Sequence, residues 1–116
     1  MSSVYILYGI KNCDSVKKAG IWLEQHGLSY QLHDFRREGL DSLLIQRFIA
    51  KVGWEILLNK RSTSWRQLDA LQKTDLNAEK VTALFLAHPT LIKRPVLDTG
   101  DDFIIGFNAE TYQTLL

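Results

Sequence analysis

Val4-Tyr5-Ile6-Leu7-Tyr8 is a short run of β-branched, aliphatic and aromatic residues, apolar on both faces, as in a strand buried at the centre of a sheet. Gly9 to Asn12 interrupts it. From Asp14 the period changes: Val16, Ala19, Gly20 and Leu23 follow the i, i+3, i+4, i+7 spacing of a helix, and Gly27 supplies a natural stop. Ser29 to Phe35 is strand-like again. Residues 4–35 therefore read as a βαβ unit, and its two strands are expected to run parallel.

The middle of the chain is helical in pattern. Ile45, Phe48, Ile49 and Val52 form a second apolar stripe, closed by Gly53. Thr63 or Ser64 is the expected cap of a short helix through Leu71. Asn77 caps another that carries Val81, Leu84 and Phe85 and stops before Pro89. Val96-Leu97 and Phe103-Ile104-Ile105 then flank Asp98-Thr99-Gly100-Asp101, a hairpin signal. Asn108 is placed to cap a last helix with Tyr112, Leu115 and Leu116 inward. The order is β-α-β, helices, β-β-α: an α/β fold with a mixed sheet and a helical insertion between the second and third strands.

Composition narrows the function classes. The 116 residues suit one domain spanning 1–116, large enough to bury about two-thirds of its surface without metal or disulfide staples. No internal repeat, low-complexity tract or linker divides it. Fourteen Lys and Arg stand against 13 acids, a net charge of +1, so no global field recruits nucleic acid or an anionic membrane. The apolar runs are far short of a bilayer span, and residues 1–10 lack the basic and long apolar regions of a secretory leader. A single cysteine excludes an internal disulfide and suits a reducing compartment. The expectation is a cytoplasmic monomer.

That cysteine is the first candidate for chemistry. Cys13 falls where the loop after the first strand meets the first helix, so the free N–H groups and dipole of the helix favour a thiolate. Lys11, Lys17 and Lys18 add positive potential nearby. A lone cysteine is more often a small buried apolar residue; the strand–loop–helix junction shifts the reading towards a nucleophile. Arg94 precedes Pro95 and is held extended by it, and Arg61 lies in the polar loop Asn59-Lys60-Arg61-Ser62-Thr63. Converging on one thiolate, the two guanidinium groups would bind an oxyanion or carboxylate; spacing alone favours solvated surface arginines. His26, His33 and His88 lack metal-ligand spacing, and no metal site is expected. His33-Asp34 reads as a structural polar pair. Trp22, Trp54 and Trp65 read as core or rim packing without basic interleaving.

Gly9-Ile10-Lys11-Asn12-Cys13-Asp14-Ser15-Val16-Lys17-Lys18-Ala19 resembles the active-site segment of the ArsC-like and Spx-related proteins, the small YffB-type members among them. Asn59-Lys60-Arg61-Ser62-Thr63-Ser64-Trp65-Arg66, Leu91-Ile92-Lys93-Arg94-Pro95-Val96 and Ile105-Gly106-Phe107-Asn108 are similar to its further signatures. The resemblance implies a thioredoxin-like fold, a nucleophilic Cys13 supported by Lys11 and Asn12, anion-binding Arg61 and Arg94, and a cis bond before Pro95. It also implies glutathione as co-substrate, no bound cofactor, and a small oxyanion or thiol as substrate.

Three positions depart from the pattern. Gly9 stands where the glutathione-coupled arsenate reductases have a histidine, no arginine follows Arg94, and Val16 stands where the redox-switched Spx regulators have a second cysteine. Without a resolving thiol, an external one must complete any redox cycle. The expected activity is therefore glutathione-dependent thiol reduction. A non-catalytic Spx-like module that binds RNA polymerase is the alternative, and glutathione-coupled arsenate reduction ranks third.

Overall fold

The computed structural model describes residues 4–116; the first three residues of the segment read as lacking a leader lie outside it. Among the described residues no helix is long and apolar enough to cross a membrane. The chain divides into two compact units, Met1–Gly39 with Arg94–Leu116, and Leu40–Lys93. The second is the segment inserted between the second and third strands.

In the first unit, β1 (Tyr5–Gly9) runs into α1 (Asp14–Gln25), and β2 (Tyr30–Asp34) returns parallel to β1 with Leu7 opposite Leu32. Gly27, at φ +68°, takes the left-handed conformation that ends the helix. β3 (Val96–Asp98) and β4 (Phe103–Ile105) form the expected antiparallel hairpin, and β3 pairs antiparallel with β1. The four-stranded mixed sheet has the order β2-β1-β3-β4, which puts the apolar β1 in the interior and leaves β2 at an edge.

Strand alternation puts Leu7 and Leu97 on one face. They pack with Val16, Ala19, Trp22 and Leu23 of α1, and with Tyr112 of α6 (Ala109–Gln113). Asn108 caps α6 by accepting from Glu110 N–H at 2.8 Å. Only part of the expected inward face of this last helix is realised: Tyr112 is fully buried and Leu115 packs partly, but Leu116 is exposed. The helix stops at Gln113, so Leu116 no longer follows its stripe.

The second unit contains α2 (Ser42–Val52), α3 (Trp54–Leu57), α4 (Thr63–Gln67), α5 (Ala78–Ala87) and a 3-10 turn over Pro89–Leu91. Ile45, Phe48, Leu57, Val81, Phe85, Leu91 and Ile92 are its fully buried side chains; Ile49, Val52 and Leu84 of the stripes read from the sequence are half-buried. The cap of α4 is Ser62, not Thr63 or Ser64: its Oγ accepts from Trp65 N–H at 3.1 Å. That helix ends at Gln67 rather than Leu71, because Leu68 turns extended and is buried.

Candidate functional site

The site is built where β1 hands the chain to α1. Ile10 carbonyl accepts from Cys13 N–H at 3.1 Å and closes the loop, which leaves Cys13 extended, half-buried and at the N-cap. Lys11 and Asn12 are the exposed residues of this loop. The loop is tethered from the side by Asp34, whose Oδ2 accepts from Lys11 N–H at 3.3 Å and whose Oδ1 accepts from Arg36 N–H at 2.9 Å. Asp34 does not act as a pair with His33, which bonds the Gly39 carbonyl at 2.9 Å and rests on the Tyr8 ring instead. No local sequence signal gives Asp34 this tethering role, since Lys11 is 23 residues away.

Partial burial pushes the Cys13 thiol up; the N–H of Val16, the Arg94 guanidinium hydrogen bond, the N–H of Ser15 and the charge of Arg94 pull it down. The pull wins, and the thiol lies below its ordinary value. No capping hydrogen bond of ordinary geometry reaches the sulfur. The two N–H groups therefore act chiefly on the anion, a far better acceptor than the neutral thiol.

Arg94 and Pro95 open the approach to β3, and the bond between them is cis. The structure thus gathers Cys13, Lys11, Asn12, Arg94 and Pro95 in one unit. Arg61 belongs to the helical unit, in an exposed turn where its N–H donates to Asn59 Oδ1 at 3.1 Å and its carbonyl accepts from Arg66 at 3.3 Å. Trp65 corrects one reading of the sequence. Lys60 and Lys73 place their Nζ atoms 5.5 and 5.1 Å from its ring centroid, so basic groups do interleave with this tryptophan. Trp22 is core, as its place on the α1 stripe requires.

The two departures nearest the cysteine prove to be one feature. A Cβ on Gly9 would stand 2.6 Å from Val16 Cγ2, so the bare backbone at residue 9 and the valine at residue 16 fit each other. Among the described residues no group of three His, Cys, Asp or Glu is arranged to hold a metal.

A mixed four-stranded sheet, a cysteine at the N-cap position of the helix after an interior strand, and a cis-proline leading into the antiparallel hairpin define a thioredoxin-like fold. The chain belongs to the ArsC family, which matches residues 8–115. It is similar to the YFFB protein, with 43% identity, a TM-score of 0.92 and coverage of 96% of this chain and 97% of that one. An arsenate reductase (ArsC) related protein from Brucella melitensis is 42% identical, with a TM-score of 0.80 and coverage of 98% and 95%. The global transcriptional regulator Spx of Lactiplantibacillus plantarum is 26% identical over 113 residues, 96% of this chain and 85% of that protein.

Proposed function

We propose that this protein is a glutathione-dependent thiol reductase acting through Cys13. The observation that carries the reading is the balance at the sulfur: a half-buried thiol lies below its ordinary value because helix N–H groups and Arg94 favour the anion. Such a thiolate is a nucleophile at neutral pH, whereas an ordinary thiol is only a few per cent ionised.

The cycle needs one cysteine, a glutathione mixed disulfide as substrate and one external thiol, free glutathione. Cys13 thiolate attacks the glutathione sulfur of a mixed disulfide. That S–S bond breaks, the substrate thiolate leaves and takes a proton from solvent, and a Cys13–glutathione disulfide forms. A second glutathione thiolate attacks the glutathionyl sulfur, releasing Cys13 thiolate and oxidised glutathione. With Val16 in place of a second cysteine, this external step is required. Arg94 holds the anionic group beside the sulfur, and the family resemblance assigns a second anion-binding role to Arg61. The protein works in the cytoplasm, where glutathione keeps thiols reduced.

Exposure to oxidised glutathione, followed by intact-mass analysis, tests this reading. One glutathione gained by the wild type and none by Cys13→Ser is the expected result, with slower gain in Arg94→Ala and Arg61→Ala. No adduct on the wild type would leave a non-catalytic binding module of the Spx kind, to be sought by capture of RNA polymerase.

A further inference from the structure

A groove that the cycle above leaves unused begins at the residues preceding Cys13. Its origin is the strand order. Helix α1 packs over β1 and β3, so the edge strand β2 projects past it and leaves a cleft of about 490 Å³ along the outer flank of the helix. That is the size of a small-molecule site. Leu7 and Val16 are buried at its base, and Ile21 and Leu32 are lining residues left 54% and 37% exposed.

The two ends of the groove differ in charge. At the N-terminal end of α1, Lys11 and Asn12 immediately precede the nucleophile and Lys17 follows in the next turn. Neither lysine ammonium has an ion-pair or hydrogen-bond partner among the described residues. At the far end Tyr30 lies against the helix at Gly20, where a Cβ would stand 2.5 Å from the phenol oxygen. The Tyr30 hydroxyl donates to Glu24 Oε1 at 3.3 Å, so the acid in the lining is engaged at the end away from the lysines. Lys11 and Lys17 thus line the end of the groove nearest Cys13 along the chain, and an apolar channel runs from there.

We propose that this groove receives the leaving-thiol half of the substrate, and that it selects small thiols with a carboxylate close to the sulfur and an apolar tail of several carbons. The inference rests on the reductase reading for its turnover assay but not for its binding assay. Three mixed disulfides of glutathione serve as probes: with 2-mercaptopropanoate, with 2-mercaptooctanoate, and with octane-1-thiol. A fully buried methylene is worth roughly fourfold in affinity, and about half of that effect, on the order of twofold each, applies in an open groove. kcat/KM for the octanoate disulfide should therefore exceed that of the propanoate one by about 30-fold. It should also exceed the uncharged octanethiol disulfide several-fold.

Ile21→Asp should collapse the chain-length advantage, while Leu71→Gln, on the exposed surface of the other unit, should keep it. Equal turnover of the three disulfides overturns the groove assignment and leaves the reductase standing. Absence of any turnover overturns the reductase. In that case, titration with octanoate while observing the methyl resonances of Ile21 and Leu32 decides the groove. Saturable shifts at both methyl groups sustain it, and their absence overturns it.

Discussion

A methyl group added at residue 9 would press on the first turn of α1 without touching Cys13. In Gly9→Ala the new Cβ stands 2.6 Å from Val16 Cγ2 and 3.5 Å from Cγ1, against an ordinary carbon–carbon contact of about 3.5–4.0 Å. The overlap is about 1 Å. Both residues are buried, and overpacking of this kind costs about 1–3 kcal/mol. Restricting the unfolded chain offsets about 0.4–1 kcal/mol. The net loss is about 1–2 kcal/mol. Val16→Ala alone loses two methyl groups at about 0.8 kcal/mol each plus a cavity, about 2 kcal/mol in all.

In the double variant the added methyl occupies the space that the valine vacates. Its stability should fall near that of Val16→Ala, about 1–2 kcal/mol better than the sum of the single changes. Urea unfolding of the four proteins with a shared m-value measures this coupling. Additivity within about 0.5 kcal/mol would refute the claim that the glycine and the valine are matched. Because the Val16 N–H favours the Cys13 thiolate, Gly9→Ala should also raise the thiol pKa, and the double variant should bring it back.

Arg94→Ala removes both a hydrogen bond and a charge from the sulfur; alkylation of Cys13 should shift to higher pH, with Arg94→Lys restoring the charge in part. Tyr112 is fully buried, and its hydroxyl has no hydrogen-bond partner among the described residues. Tyr112→Phe should therefore stabilise the protein by about 1 kcal/mol, raising Tm by about 4 °C in calorimetry. A loss of stability would mean that the oxygen is satisfied. Folding lowers the Cys13 pKa, so the unfolded chain binds the extra proton between the two values and stability contributed by this group rises with pH there. The difference in unfolding free energy between wild type and Cys13→Ala should grow as pH rises from the folded value, level off above the unfolded one, and at acid pH settle to the constant packing difference between the two side chains.

Local signals made much of this fold legible. Gly27, Asn77 and Asn108 act within a few residues of themselves, and each ends or caps the helix it was expected to. Where several neighbours offered the same local chemistry, the sequence left the choice open. Ser62, Thr63 and Ser64 can all cap, and distant packing decides between them: the Ser64 hydroxyl is hydrogen-bonded to Thr90, while Ser62 caps α4. The four-residue α3 and the 3-10 turn are too short for periodicity to show. The candidate site followed the same rule. Cys13 stands out as a candidate by its place at a strand–helix junction; spacing alone favours a surface arginine at residue 94, and its hydrogen bond to Cys13 comes from the fold. Asp34 on Lys11, Lys73 over Trp65, and the match of Gly9 to Val16 depend on contacts that no local pattern announces.

The central claim is that Cys13 is a thiolate held ready by α1 and Arg94. The pH dependence of its alkylation by iodoacetamide tests this most directly, with a free cysteine peptide as reference. The reference thiol titrates near about 8.5. The account predicts a midpoint for Cys13 clearly below the reference, in the direction that the helix N–H groups and the guanidinium impose. A midpoint at or above the reference would mean that burial outweighs both, and would make Cys13 an idle cysteine.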